Sequence, residues 1–158
     1  MGTNFYFHTK SKTIAEKYAG WEYELTDIPD WAYEIHIAKT SCGWLPLFQY
    51  RETMPSVKAM KEAYDTGEFK IYDEYNKEYN WKEFDERVLK FNGGVKGAIK
   101  PQPFKSFSSI FHGIEENENI PISHFDYSNG NYSHLYLKDE DGYEFSKSNF
   151  RWFSAVSK

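Results

Sequence analysis

The spacing of apolar residues divides this chain into segments of two different periods. Strand-forming residues open it at Thr3-Asn-Phe-Tyr-Phe-His8, and an apolar alternation runs up to the turn at Ser41-Cys-Gly43. A second turn, Asp139-Glu-Asp-Gly142, separates two further alternating segments, so each turn predicts a hairpin. The predicted strands are residues 3–8, 33–40, 44–51, 69–72, 132–138 and 143–148.

Three other segments place their apolar residues on one face of a helix. A capping box at Thr13 and Glu16 begins the first, Ser56 can cap the second, and Asn80 can cap the third. The predicted helices cover residues 14–19, 56–65 and 81–91. Strands at both ends with helices between them predict one α+β domain over residues 1–158. We expect an antiparallel sheet that contains the N- and C-terminal strands, with two or three helices packed on it.

Composition excludes several classes of protein. The net charge of −5 argues against binding of a nucleic acid polymer, which normally requires a basic domain. The single cysteine, Cys42, rules out an intrachain disulfide and a cysteine-based zinc site, and it fits a reducing cytoplasm. Apolar runs fall far short of the roughly 20 residues that a membrane span needs. His112, His124 and His134 lack close metal-ligand spacing, so we expect no metal and no cofactor.

The segment His36-Ile-Ala-Lys-Thr-Ser-Cys-Gly-Trp44 is the richest in chemistry. Lys39, Thr40 and Ser41 place an ammonium beside two hydroxyls at a strand end, which can bind an anion, although a polar transition from strand to turn explains them equally. Trp44 can stack a base or lie in the core. His36 alternates with two isoleucines, so it faces the opposite side, as a solvent-exposed residue or as a pocket wall. A catalytic pairing of Cys42 with a histidine has little support, because one cysteine among five histidines makes such a pairing inevitable.

A basic segment, the basic island, runs from Arg87 to Ile114 and contains five cations and no acidic residue. Its glycines can let backbone N–H groups approach a ligand closely. It is either a solubilising loop or a lid that carries Lys96 or Lys100 over a phosphate.

Two motifs resemble a family of small bacteriophage proteins. The start Met1-Gly-Thr-Asn-Phe-Tyr6 is similar to the family's usual Met-Gly-Thr-Asn-Tyr-Tyr, and the 36–44 segment is similar to its His-Ile-Gly-Lys-Ser-Ser-x-Gly-Trp. Weaker matches at Ile71–Tyr75, Trp81–Phe84 and Asp141–Phe145 extend the likeness over most of the chain. The chain departs from the pattern at positions 5, 38 and 40, and it lacks the Cys-x-x-Cys pair that many relatives carry.

The resemblance implies a function as a phage anti-CBASS sponge, a protein that sequesters the cyclic nucleotide signals of bacterial immunity. It places ligand contacts on Lys39, Thr40, Ser41 and Trp44, with Asn4 and Tyr6 as neighbours. We therefore expect a non-enzymatic protein of the host cytoplasm that binds a cyclic dinucleotide such as cGAMP as a symmetric homo-oligomer. The expected ligand-binding residues are Asn4, Tyr6, His36, Lys39, Thr40, Ser41, Trp44, Lys96 and Lys100, and none is catalytic.

Two alternatives remain open. A phosphodiesterase or nucleotide hydrolase would use His36 as its general base. A phage inhibitor of a host protein would instead use an aromatic surface, since aromatic residues make up 20% of the chain.

Overall fold

The structure is a computed structural model that describes residues 2–27, 31–93, 121–127 and 133–151. One open sheet of eight strands forms its centre. The strands are β1 (Gly2–Thr9), β2 (Glu24–Leu25), β3 (Tyr33–Ser41), β4 (Leu47–Gln49), β5 (Lys70–Asp73), β6 (Glu78–Tyr79), β7 (Tyr136–Lys138) and β8 (Glu144–Ser146).

The strand order is β6-β5-β1-β3-β4-β8-β7, and the short β2 pairs with β3. Neighbouring strands run antiparallel except β4 and β8, which are parallel. The N-terminal strand lies inside the sheet and the C-terminal hairpin forms one edge. The predicted α+β class and the two predicted hairpins are therefore confirmed, with one parallel pair that local turns could not reveal.

Four short α-helices accompany the sheet in the described residues. They are α1 (Lys12–Ala19), α2 (Val57–Asp65), α3 (Trp81–Phe84) and α4 (His124–Tyr127). The predicted caps hold for α2 and α3, because Ser56 accepts from Ala59 N and Asn80 forms a full capping box with Glu83. The cap of α1 is Ser11, whose Oγ accepts from Ile14 N. The predicted cap at Thr13 is therefore wrong, and α1 begins earlier than expected.

The third helix is not continuous, contrary to the prediction for residues 81–91. After α3 the chain widens into a π-helical turn, Asp85–Leu89, in which Lys90 N donates to Asp85 O over 2.9 Å. A 3-10 turn at Phe91–Gly93 follows, with Asn92 in the left-handed region. Val88 and Leu89 are both buried, although a regular α-helix does not place two consecutive residues on the same face.

The second strand of the first hairpin is also shorter than residues 44–51. Pairing with β3 is limited to Ala38–Phe48 and Lys39–Leu47. Trp44 instead forms a parallel bridge with Ile122, a residue far away in sequence. Tertiary contacts therefore remove Trp44 from the strand.

The apolar core lies on one face of the sheet. Phe5 and Phe7 from β1 and Ile35 and Ile37 from β3 are fully buried there. The helices and turns that cover this face contribute Ala19, Met54, Val57, Met60, Ala63, Phe84 and Val88. This face will be called the core face. Among the described residues, no helix combines the length and the apolar character that crossing a bilayer would demand.

Candidate functional site

The opposite face of the sheet carries polar side chains that are nevertheless buried, and it will be called the polar face. Alternation along β1 places Asn4, Tyr6 and His8 there, with exposed fractions of 9%, 5% and 4%. Their partners across the strand pair share the same face. Lys39 lies opposite Asn4, and His36 lies opposite Tyr6. Four of the predicted site residues therefore meet on one face.

A β-bulge places His36 and Lys39 on the same face of the sheet. The register between β1 and β3 shifts between Phe5 and Tyr6, so that Ile37 is the extra residue of β3. Strict alternation would place residues 36 and 39 on opposite faces. The bulge turns Ala38 to the core face, where it is fully buried, and Lys39 to the polar face beside His36.

Asn4 is the centre of a hydrogen-bond network on the polar face. Its Oδ1 lies 2.9 Å from His36 Nε2, and its Nδ2 donates to Arg151 O over 3.1 Å. Its backbone N donates to Glu74 Oε1 over 2.6 Å. Because the amide oxygen faces the imidazole, His36 Nε2 is the donor of that bond.

His36 is a buried neutral imidazole. Burial, reinforced by the charge of Arg51, lowers the pKa of His36 to about 3. The Arg51 guanidinium also donates to the His36 carbonyl oxygen over 2.6 Å. His36 is 4% exposed, and one of its ring nitrogens holds Asn4. Of the two predicted placements, a solvent-exposed His36 is therefore wrong.

Lys39 is 9% exposed and lies beside the start of β1. A Cβ on Gly2 would come within 2.7 Å of Lys39 Cε and within 2.9 Å of Ser41 Oγ. Only a glycine at position 2 leaves room for these two side chains. Burial lowers the pKa of Lys39, while the carboxylate of Glu74 opposes that shift. The ammonium and Ser41 thus belong to the same packed end of the polar face.

Thr40 points to the core face instead. Its Oγ1 accepts a hydrogen bond from Arg87 Nη1 over 3.2 Å. The Arg87 guanidinium also lies 5.1 Å from the ring centre of Phe5 and 5.3 Å from that of Phe91. Thr40 is 2% exposed and is separated by the sheet from Lys39 and Ser41. The structure therefore does not bring the three neighbours together at one point.

Trp44 is a core residue at 1% exposure. Its ring stacks on His124 at 4.7 Å and meets Tyr127 edge-on at 5.2 Å. His124 is held by a 3.0 Å bond from Nε2 to Leu45 O. A base could stack on Trp44 only after His124 moves away.

The C-terminal segment covers the polar face and adds residues that the motif search missed. Phe150 packs edge-on against His36 at 4.9 Å, and the Arg151 guanidinium lies 4.6 Å from the centre of the Tyr6 ring. Arg151 also pairs with Glu34, which in turn accepts from His8 over 3.0 Å. No local pattern marks Arg151, because its partners lie more than 100 residues away.

The first residues of the basic island lie next to the 36–44 segment. Arg87 contacts Thr40, and Asn92 Nδ2 donates to Trp44 O over 2.7 Å. Lys96 and Lys100 lie outside the described residues. The described start of the island therefore lies beside the 36–44 segment.

Neither catalysis by Cys42 nor metal binding gains support from the described residues. Cys42 is exposed in the turn after β3. In the described ranges, no group of three or more histidine, cysteine, aspartate or glutamate side chains could hold a metal ion.

Comparisons of the chain with protein-family models, with curated proteins and with solved structures found no match. The likeness to the phage family therefore depends on the motifs of the sequence itself.

Proposed function

We propose that this protein sequesters a cyclic dinucleotide without cleaving it, in the manner of a phage anti-CBASS sponge. The observation that carries the proposal is the cluster of Asn4, Tyr6, His36 and Lys39 on one face of the sheet. These four residues come from the two motifs that carry the phage resemblance, and a bulge is needed to bring them together.

The chemistry of the polar face suits a ligand with two phosphates and two bases. Lys39 supplies a cation on this face, and Tyr6 supplies an aromatic ring. Cations with several donors are the usual partners of phosphate oxygens. Aromatic rings contribute about 1–3 kcal/mol for each base that stacks on them. Because Phe150 and Arg151 now cover this face, the ligand would enter as the C-terminal segment moves aside.

The state of His36 favours sequestration over the rival hydrolase. A general base must reach the proton that it abstracts, either directly or through one water. Because His36 Nε2–H donates to Asn4, the basic nitrogen is Nδ1, which is buried in a ring that is 4% exposed. Burial also lowers the pKa of His36 to about 3, and both features favour a role in holding Asn4 over one in activating water.

Calorimetric titration with 3′,3′-cGAMP tests the proposal. We expect Lys39→Met, which keeps most of the aliphatic stem, to weaken binding at least tenfold, or about 1.4 kcal/mol. The matched control is Lys58→Met, because Lys58 is an exposed lysine of α2. Intact nucleotide recovered after denaturation supports sequestration. Cleaved nucleotide, or equal affinity of the Lys39 variant and the control, would contradict it.

A second candidate is inhibition of a host protein through an aromatic surface. Trp21, Leu25 and Trp31 are 89%, 59% and 69% exposed; Trp21 precedes β2, Leu25 ends it, and Trp31 precedes β3. Large exposed aromatic residues are enriched in protein interfaces. If calorimetric titration with a panel of cyclic nucleotides, including cGAMP, produces no heat, this candidate is favoured over the sponge.

A further inference from the structure

A groove of about 460 Å³ lies where the end of β1, the start of α1 and the start of β5 meet. Its lining includes Thr9, Lys10, Ser11, Lys70 and Tyr72. None of these residues belongs to the cluster of Asn4, Tyr6, His36 and Lys39. The volume lies within the range of about 300–1,000 Å³ that is typical of small-molecule sites.

The charge of the groove is opposite to that of the protein. Lys10 and Lys70 line it with only one carboxylate, Glu68, whereas the whole chain carries a net charge of −5. The groove also faces the beginning of α1, whose first turn has no acidic residue to neutralise the positive end of the helix dipole. An anion is therefore the ligand that this local field favours.

Two hydroxyl groups in the lining can still donate a hydrogen bond. Thr9 Oγ1 accepts from Ser11 N, and Ser11 Oγ accepts from Ile14 N, each over 3.2 Å. These bonds occupy lone pairs of the two oxygens and leave their O–H protons, neither of which donates to a group in the described part of the chain. Two O–H donors beside two lysines match the acceptor oxygens of a phosphate.

A stacked pair of rings forms the wall beside these donors. His8 and Tyr72 both line the groove and stack on each other at 4.5 Å. The bond from His8 Nε2 to Glu34 holds the imidazole in place, whereas His8 Nδ1 is buried without a partner among the described residues. A buried polar atom without a partner costs free energy, and a ligand with a complementary group at the ring would recover it.

We propose that this groove binds a phosphomonoester of about the size of a mononucleotide. The phosphate lies between Lys10, Lys70 and the hydroxyls of Thr9 and Ser11, and the remainder of the ligand contacts the wall formed by His8 and Tyr72. The site is independent of the proposed function, because it uses different residues and lies at the opposite end of β1 from Asn4 and Lys39.

The test is an amide NMR titration of the full chain with adenosine 5′-monophosphate, inorganic phosphate and adenosine. We expect the monophosphate to shift the amides of Thr9, Ser11 and Lys70, with weaker binding of inorganic phosphate and of adenosine. Lys70→Gln should weaken the monophosphate about tenfold, as loss of one charge-assisted hydrogen bond predicts.

Lys58→Gln is the matched control, because Lys58 is an exposed lysine that does not line the groove. Lys10→Gln is a second variant for which we expect a similar loss. Amides outside the groove report in each case whether the variant is folded. The proposal is overturned if the monophosphate leaves the groove amides unmoved, or if it binds both lysine variants as tightly as the control.

Discussion

Acidification from pH 7.5 to 5.0 should destabilise this protein through two buried histidines. Burial lowers the pKa of His36 to about 3 and that of His124 to about 4. Both histidines titrate near pH 6.5 in an unfolded chain. Below that pH the two histidines are protonated in the unfolded state but stay neutral in the folded state. The free energy of unfolding therefore decreases as the pH is lowered. The contribution of the two neutral histidines to stability is fully present above about pH 6.5. It is lost as the pH falls toward the folded-state pKa of each, about 4 for His124 and about 3 for His36.

The magnitude follows from the same shifts. Each pH unit below the unfolded pKa costs about 1.4 kcal/mol for each histidine that stays neutral in the fold. Between pH 7.5 and 5.0 the loss is thus about 2 kcal/mol per histidine, or about 4 kcal/mol for both. Globular domains are stable by about 5–15 kcal/mol, so this loss is a large fraction of the total.

Charged groups near the two histidines also affect the pH dependence of stability. Arg51 and Arg151 near His36 oppose its protonation and reinforce the effect. Glu144, which accepts from the backbone N of His124, acts in the opposite direction, because burial raises the pKa of its carboxyl. Glu144 therefore subtracts from the loss caused by the histidines, whereas ending the titration at pH 5.0 stays above the range in which Glu34, whose pKa is lowered, takes up a proton.

Urea unfolding followed by tryptophan fluorescence measures the effect. His36→Gln and His124→Gln keep a donor at the position of Nε2 and remove the titrating group, so each should reduce the pH-dependent loss by about 2 kcal/mol. His134→Gln is the control, because His134 is exposed. A wild-type stability that is equal at the two pH values refutes the reasoning. So does a pH dependence that survives both substitutions.

Two substitutions test local features. Asn80→Ala removes the capping box shared with Glu83 and should lower the free energy of unfolding by about 1 kcal/mol in urea titrations; an unchanged value would mean that the cap does not stabilise α3. Gly2→Ala places a Cβ within 2.7 Å of Lys39 Cε, so it should displace the lysine and weaken cGAMP binding in calorimetry as Lys39→Met does, and undiminished affinity would separate Gly2 from the site.

Local signals predicted most of the elements. A helix cap or a turn depends on only a few neighbouring side chains, so it can be predicted from residues close in sequence. This was the case for the caps at Ser56 and Asn80 and for the turns before Trp44 and after Lys138. The same local logic misplaced the cap of α1, where Thr13 fits the pattern but Ser11 lies at the helix boundary. The prediction also extended the third helix through the π-helical turn, because the spacing of apolar residues does not indicate such a turn.

The candidate site was only partly predictable for a related reason. The two motifs identified Asn4, Tyr6, His36 and Lys39, and the observed face contains all four. The prediction that Thr40 and Trp44 accompany them on one surface was not met, because Thr40 faces the core and Trp44 stacks on His124. Which side a residue faces depends on a bulge, and a bulge depends on how two strands pair.

By itself the sequence determined the α+β class, the order of the longer strands and helices without the short β2, β6 and α4, and the chemical groups available to a site. These follow from the period of apolar residues and from the preferences of turns and caps, which act over a few residues. Only the tertiary structure decided that His36 is neutral and buried, that Lys39 joins it, and that Arg151 covers Tyr6. Those outcomes depend on contacts between segments distant in sequence, whose burial sets both the direction of each side chain and its charge.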